Sequence, residues 1–475
     1  MPAPNEKLEL ALAAFRREQS LGYLRTLGGA PAGAARARAF LCSDEALEAI
    51  GDAAQSGEIA PALHAAWGAQ LARAHAEAKY VEARAASAHL ASIPVRAESE
   101  TRTVGEFALE WSRERASARR ARLATALAPL LAEHTELLLS ARVRADRAAS
   151  QVLSRLGAPR HADAGPEGGV AQLAETWLAT SEDVAGEAFQ FVREASEAEG
   201  SSALDTLWAT LGAALAGLVP RPGRYRRLAA ELEPLGLRRL LTSAARLGPE
   251  HTELSGASQV AVVESPRDVR LLPPRLELGL ASELYAADAL GRAAAFVHAS
   301  PALPLALRHA SAASVARAAG TLSMLRFCEP SFLRRRRELN SREAAEVARR
   351  SAALALLDAR LAAASVLARS LAGPQAIEHA HALCERALLG AVPPGLGAFL
   401  LLRLSAGSAF RGKAWGLSLA HALREQFDED WYQNPHAGEP LRGAFARAGE
   451  LSVEAFAAEL GAQIELGPRK LSELF

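Results

Sequence analysis

Helical hydrophobic periodicity runs through almost the whole chain of 475 residues. Apolar residues recur three and four positions apart in ALEAIGDAAQ (46–55), in YVEARAASAHLASI (80–93) and in a long stretch over 106–156. This spacing places the apolar side chains on one face of a helix, and that face must be buried against other helices. Alanine and leucine, both strong helix formers, dominate the apolar residues. The sequence therefore predicts a mainly α protein.

One segment departs from the helical period. SQVAVVESPRDVRLLPPRLELG (258–279) carries β-branched residues in short runs with prolines between them. Such runs are typical of short strands. We expect one small β-hairpin or sheet within 258–279 and no comparable segment elsewhere.

The chain is too long for a single ordinary core. Its clearest linker is LGAPRHADAGPEGG (156–169), where proline, glycine and aspartate crowd together. We therefore predict two units. An N-terminal helical region with a long helical hairpin spans 1–155, and a second helical domain spans 170–475.

Charge and cysteine usage narrow the class of protein. The 54 basic and 54 acidic side chains cancel, which favours neither nucleic acid nor an anionic membrane as a partner. No charge-free apolar run reaches the ~18 residues of a membrane span, and the first residues lack the apolar core of a signal peptide. Cys42, Cys328 and Cys384 lie far apart, which predicts free thiols in a reducing compartment. We expect a cytoplasmic protein; no pattern indicates an oligomeric state.

A glycine in the middle of an alanine-rich helical run raises a question about function. Residues 284–298 read LYAADALGRAAAFVH, with Gly291 between Asp288 and Arg292. A glycine costs a helix interior about 1 kcal/mol relative to alanine. Its presence in so regular a helix indicates a constraint that alanine does not meet.

The C-terminal motifs indicate where that constraint comes from. RGKAW (411–415) precedes an amphipathic helix, the turn WYQNPHAG (431–438) follows, and a final helix pair closes the chain. In this order of motifs the chain, from about residue 176 to its end, resembles helical metallopeptidases of the thimet oligopeptidase and oligoendopeptidase F type. The resemblance implies a gluzincin fold with two helical lobes around a cleft that takes an extended peptide.

The resemblance also implies where a metal site would lie. Active members carry HExGH on a helix after short strands, where two histidines bind zinc and the glutamate activates water. Matching Gly291 to the family glycine places Asp288 and Arg292 at the histidine positions and Ala289 at the glutamate position. The helix is then expected to carry an ion pair, because the acid precedes the base by four residues.

The two remaining family positions are also changed. The third zinc ligand, a glutamate on a following helix, is matched by Arg317 in VARAAGTLSML (315–325), and the family tyrosine is matched near Arg411. Arginine has no lone pair to offer a metal. No histidine anywhere in the chain is followed by glutamate, so no shift of register restores the motif. The resemblance therefore implies a degenerate member with no metal, no cofactor and no catalytic residue.

Three hypotheses for function follow. The first is a catalytically inactive metallopeptidase-like protein that binds a peptide or protein or acts as a scaffold. The second is a metal-free cleft that binds an anionic ligand through Arg292, Arg317 and Arg411. The third is a purely structural helical protein whose likeness to these peptidases stops at the C-terminal helices. A separate alternative concerns the register: if the match at Gly291 is wrong, Asp288 and Arg292 are ordinary surface residues.

Two further motifs carry weaker signals. Glu378 and His381 form a single E-x-x-H, whereas di-metal bundles need a second copy, so a polar helix face is expected. Four consecutive arginines, Arg334 to Arg337, lie in LRRRRELNSRE (333–343) and predict a solvated, ion-paired face.

Overall fold

Helices make up most of the computed structural model. It describes residues 4–26, 39–79, 83, 86, 89–97, 100–158, 169–198, 200, 202–211, 223–248, 250, 257–275, 277–310, 312–369, 375–393, 395–402 and 406–464. Most of the predicted linker, residues 159–168, lies outside these ranges. The predicted division into 1–155 and 170–475 stays a prediction.

The first part of the chain forms a group of helices around one very long helix. These are α1 (Pro4–Thr26), α2 (Asp44–Gln55), α3 (Pro61–Lys79), α4 (Val104–Arg113) and α5 (Ser117–Leu156). The stretch over 106–156 therefore forms two helices, broken at residues 114–116.

The rest of the chain alternates short and long helices. They are α6 (Gly169–Thr180), α7 (Glu182–Ala195), α8 (Ala203–Leu211), α9 (Arg224–Ala230), α10 (Arg238–Ala244), α11 (Leu280–Val297), α12 (Leu305–Ala310), α13 (Ala312–Leu325), α14 (Pro330–Arg337), α15 (Ser341–Arg369), α16 (Ala376–Leu388), α17 (Leu396–Leu402), α18 (Ala406–Phe427), α19 (Pro435–Arg447) and α20 (Val453–Glu459). The mainly α fold class is confirmed.

The small sheet lies where the sequence predicts strands. β4 (Gln259–Glu264) and β5 (Asp268–Leu272) pair antiparallel, with Gln259 opposite Leu272. A third strand, β3 (Ala245–Leu247), adds to β5 in parallel. Helix α11 packs on β4 and β5, so the sheet positions the helix that carries Gly291.

A second hairpin was not predicted. β1 (Pro94–Ala97) and β2 (Glu100–Thr103) pair antiparallel, and β2 leads into the capping box of α4. Its sequence is mostly charged and hydroxylated, so it lacks the apolar alternation by which a half-buried strand is recognised.

The largest core contains side chains of α11, α13, α15 and α18, with α13 packed between α11 and α18. A second core joins α1, α2 and α3 to Leu305, Ala306 and Leu307 of α12.

Among the described helices, α15 alone is long and apolar enough to cross a membrane, but 83% of its most apolar segment is buried inside the protein. A helix buried to this extent passes the same test of length and composition as part of a protein core.

The expectation of a solvated arginine run is wrong at its last member. Arg334, Arg335 and Arg336 are exposed, but only 8% of the Arg337 side chain is accessible. Arg337 turns inward to pair with Glu231 and Glu283. All three cysteines are free thiols, as predicted.

Candidate functional site

Gly291 lies where α11 and α13 cross at close range. A Cβ atom added at Gly291 would lie 2.3 Å from the carbonyl oxygen of Ala319 and 2.4 Å from the Ser323 Oγ. The reverse contact is equally tight, because a Cβ at Gly320 would meet the Asp288 Oδ1 at 2.3 Å. The two helices therefore touch backbone to backbone, and glycine is required at both positions.

Asp288 and Arg292 form the ion pair expected from their spacing. The Arg292 Nε donates to the Asp288 Oδ2 at 2.7 Å, and their side chains are 8% and 13% exposed. The Arg292 Nη2 also donates to the carbonyl oxygen of Ser258 at 2.8 Å, just before β4. Ser258 is held in turn by the Tyr225 hydroxyl, 2.8 Å from its Oγ. Arg292 thus ties α11 to the sheet.

Ala289 is fully buried beside this pair. A methyl group neither donates nor accepts a proton, so the position matched to the family glutamate offers no general base.

Arg317, on α13, belongs to the same cluster. Burial and, to a smaller extent, the like charge of Arg292 lower the pKa of its guanidinium to about 10, although the charges of Asp288 and Asp358 oppose the shift. Arginine remains protonated at neutral pH even so. The structure therefore brings three of the predicted site residues, Asp288, Arg292 and Arg317, to one place.

Arg411 faces a different helix. Its Nε donates to the Glu454 Oε1 of α20 at 2.8 Å, and its Nη2 bonds the other carboxylate oxygen. The indole of Trp415 donates to the same Glu454 oxygen at 3.2 Å. Arg411 is thus part of a contact between α18 and α20.

Two residues after Arg411, Lys413 reaches the cluster. Its Nζ lies 2.9 Å from the Asp358 Oδ2 of α15, with the two side chains 17% and 15% exposed. The Tyr285 hydroxyl of α11 donates to the other oxygen of Asp358 at 3.1 Å. Burial, and then the Asp358 charge, raise the pKa of Tyr285 well above its usual value, so this phenol remains a donor.

The sequence interpretation missed Tyr285, Asp358 and Lys413. One signal was available for Lys413, which is one of only four lysines in a chain with fifty arginines. Asp358 carries no such signal, because a single aspartate in a long helix is unremarkable until neighbouring helices are placed around it.

A zinc ion does not fit this cluster. Within the part of the chain that the structure describes, no group of three or more histidine, cysteine, aspartate or glutamate side chains could hold a metal ion. The cluster has two carboxylates, and both already face cationic side chains, which repel a dication.

Solved metallopeptidases share this fold. Trypanosoma cruzi metallocarboxypeptidase 1 superposes with a TM-score of 0.55 at 13% identity, with 99% of each chain covered. The M32 carboxypeptidase of Deinococcus radiodurans R1 gives 0.50 at 16%, covering 99% of this chain and 98% of that one. A protein described as oligoendopeptidase F from Bacillus anthracis gives 0.55 at 12%, covering 98% and 84%. At these identities the likeness establishes the fold.

No protein-family model matches the sequence, and no curated protein matches it. The structural likeness nevertheless reaches beyond the resemblance seen in the sequence. That resemblance began near residue 176, whereas the superpositions also cover the N-terminal helices. The peptidase-like fold thus extends over almost the whole chain.

Proposed function

We propose that this chain is a catalytically inactive, degenerate relative of the metallopeptidases whose fold it shares, and that it binds a peptide or protein segment without cutting it. The observation that carries the proposal is the ion pair of Asp288 and Arg292 on α11, with Arg317 beside it. These are the positions that the resemblance matches to the three zinc ligands.

The chemistry of these side chains supports the loss of activity. Zinc-dependent hydrolysis needs three ligands with lone pairs, an open position for water, and a base that takes the water proton. Arg292 and Arg317 supply positive charge in place of ligands, and Ala289 supplies no base. The i,i+4 pair satisfies the charges of Asp288 and Arg292 within the protein, which supports a site that needs no metal.

The fold supports a peptide as the class of ligand. The structural neighbours are named as carboxypeptidases and an oligoendopeptidase, enzymes whose substrates are peptides. A binding surface for a peptide can persist after the catalytic groups are replaced, because binding and bond cleavage depend on different residues. The free cysteines support a reducing, cytoplasmic location.

A cleavage assay paired with a binding assay tests the proposal. Short unmodified peptides of mixed sequence are incubated with the protein, with added zinc or with a chelator, and products are identified by mass spectrometry. The same peptides, dye-labelled, are titrated by fluorescence anisotropy. We expect saturable binding and no cleavage that depends on zinc.

Two results would contradict the proposal. Turnover that a chelator abolishes and zinc restores would show an active metallopeptidase. Absence of both cleavage and binding would instead favour a purely structural role.

A further inference from the structure

A charged groove borders the end of β2, the helix α4 and the turn that follows it. Its volume is about 610 Å³, within the range of roughly 300–1,000 Å³ that is typical of ligand sites. Three arginines, three glutamates and Leu109 line the groove, all of them within residues 102–115. None of these residues belongs to the cluster around Asp288.

Two of the three glutamates are held by backbone nitrogens. Glu106 accepts a hydrogen bond from the backbone nitrogen of Thr103 at 2.7 Å, as part of the capping box of α4. Glu114 accepts a hydrogen bond from the backbone nitrogen of Ala116 at 2.9 Å. Both carboxylates thus have hydrogen-bond donors in the turns next to them.

The arginines of the groove fall into two kinds. Arg102 pairs with the third glutamate, Glu110, which Arg119 also contacts. For Arg113 and Arg115, by contrast, the described part of the chain provides no side-chain hydrogen bond, ion pair or ring contact, and both residues are exposed. Two guanidinium groups in one groove therefore keep all their donors for a ligand.

The backbone of the turn after α4 is fixed by a buried arginine of α5. Arg120 is fully buried, and its Nη1 donates to the carbonyl oxygen of Glu114 at 2.9 Å and to that of Arg115. Its Nη2 pairs with Asp205 of α8, and its guanidinium carbon lies 4.5 Å from the ring centroid of Trp208. Because this segment is already held in place, binding a ligand here costs less conformational entropy.

The lining favours one class of ligand. A guanidinium group pairs with a carboxylate through two parallel hydrogen bonds, and the half-buried Leu109 offers an apolar contact beside them. The three glutamates disfavour a nucleic-acid strand, because its phosphates bring a negative charge with every nucleotide. An acidic protein segment, which carries carboxylates only at spaced positions, fits this mixture of charges better.

We propose that this groove binds an acidic segment of a protein partner, with Arg113 and Arg115 each pairing with a carboxylate. This second binding surface does not rest on the proposed function, because it uses none of the residues around Asp288.

Three labelled probes test the class of ligand. They are a capped decapeptide with four glutamates among serines, the same peptide with glutamines in place of the glutamates, and a single-stranded oligonucleotide of equal length. Each is titrated with the full-length protein by fluorescence anisotropy. We expect the glutamate peptide to bind about tenfold more tightly than either of the other probes, and its affinity to fall as the ionic strength rises.

Variants link that binding to the groove. Arg113→Gln and Arg115→Gln should each weaken the affinity for the glutamate peptide about threefold, and the double variant about tenfold, the usual size for exposed ion pairs. Both side chains are exposed, so these variants should fold, which circular dichroism checks. Arg336→Gln is the matched control, since it removes an exposed arginine of α14 outside the groove and should leave the affinity unchanged.

Four results would overturn the inference. They are failure of the glutamate peptide to bind, equal binding of the glutamine peptide, tighter binding of the oligonucleotide, and wild-type affinity in the double variant. Zinc-dependent cleavage of peptides would instead contradict the proposed function and leave these affinities unchanged.

Discussion

Gly291 and Ala319 meet across the crossing of α11 and α13 with no room for a methyl group. A Cβ at Gly291 would lie 2.3 Å from the Ala319 carbonyl oxygen, and the obstacle is backbone, which cannot rotate away. Helix α11 carries Asp288 and Arg292, and it must approach α13, which carries Arg317. This close approach explains why α11 contains glycine, a residue of low helix propensity. Packing around the ion-pair cluster thus explains the glycine.

Gly291→Ala is therefore expected to destabilise the fold, although alanine is the better helix former. Overpacking of a tight core costs about 1–3 kcal/mol, more than the ~1 kcal/mol that alanine gains in a helix. Urea denaturation measures the difference. Gly186→Ala in α7 is the matched control, since nothing lies within 4 Å of its added Cβ, and that variant should be more stable than wild type.

The second prediction concerns a buried carboxylate at the start of α11. Glu283 has no exposed surface and accepts hydrogen bonds from Arg224, Arg227 and Arg337. Glu283→Gln leaves these arginines without their shared counter-charge, and breaking a buried ion pair costs about 3–5 kcal/mol. The free energy of unfolding in urea should fall accordingly.

An exposed pair provides the comparison for Glu283. Glu233 pairs with Arg238 at the surface, where its side chain is 64% exposed. Such pairs contribute about 0–1 kcal/mol, so Glu233→Gln should be nearly neutral. If both substitutions lowered the free energy of unfolding equally, the buried ion pairs of Glu283 would contribute no more stability than the exposed pair.

The third prediction concerns an arginine that joins two helix ends. Arg360 of α15 is fully buried and donates to the carbonyl oxygens of Leu178, Arg386 and Ala387. Lysine cannot reach these acceptors with one ammonium group. Arg360→Lys should therefore lower the free energy of unfolding by about 2–4 kcal/mol, since each unsatisfied buried acceptor costs about 1–3 kcal/mol.

The control for this substitution is Arg369→Lys, at the exposed end of the same helix. It should change the melting temperature little. A wild-type melting temperature for Arg360→Lys would mean that these carbonyl groups find other donors.

Acidification should destabilise the protein partly through His309. This side chain of α12 is buried, and burial together with Arg16, Arg308 and Arg73 holds its pKa well below the usual value. The unfolded chain takes up a proton near pH 6.5, whereas the folded protein does not. Stability from this group is therefore present above that pH and is lost as the pH falls below it, by at most about 1.4 kcal/mol per pH unit.

Urea denaturation between pH 7.5 and 5.5 would reveal this contribution, with the range chosen around the histidine pKa of about 6.5. His309→Gln should reduce the loss of unfolding free energy per pH unit on the acid side. A smaller loss should remain, because burial also lowers the pKa values of His75 and His298. His436→Gln, at an exposed position, should keep the wild-type slope. An unchanged slope in His309→Gln would refute the assignment.

The sequence predicted the elements of the fold better than the contacts of the site. Helical periodicity and the strand segment near 258–279 depend on local spacing, which a single sequence records. The pair of Asp288 and Arg292 was also predictable, because an i,i+4 relationship lies within one helix. Its placement beside Arg317 followed from the motif order.

The remaining members of the cluster depend on how four helices pack together. Lys413 rather than Arg411 reaches Asp358, because Gly412 presses against Arg317 and sets the rotation of α18. A shift of two residues turns a helical side chain by about 200°, so motif matching that is accurate to a few residues cannot decide which side chain faces the site.

The metal content of the native protein tests the central claim most directly. The protein, produced in zinc-supplemented medium and purified without chelators, is measured by inductively coupled plasma mass spectrometry. The account predicts zinc far below one equivalent per chain, with no change in melting temperature on adding a chelator. Stoichiometric zinc that protects the protein against heat, and that is lost in Asp288→Ala, would contradict it.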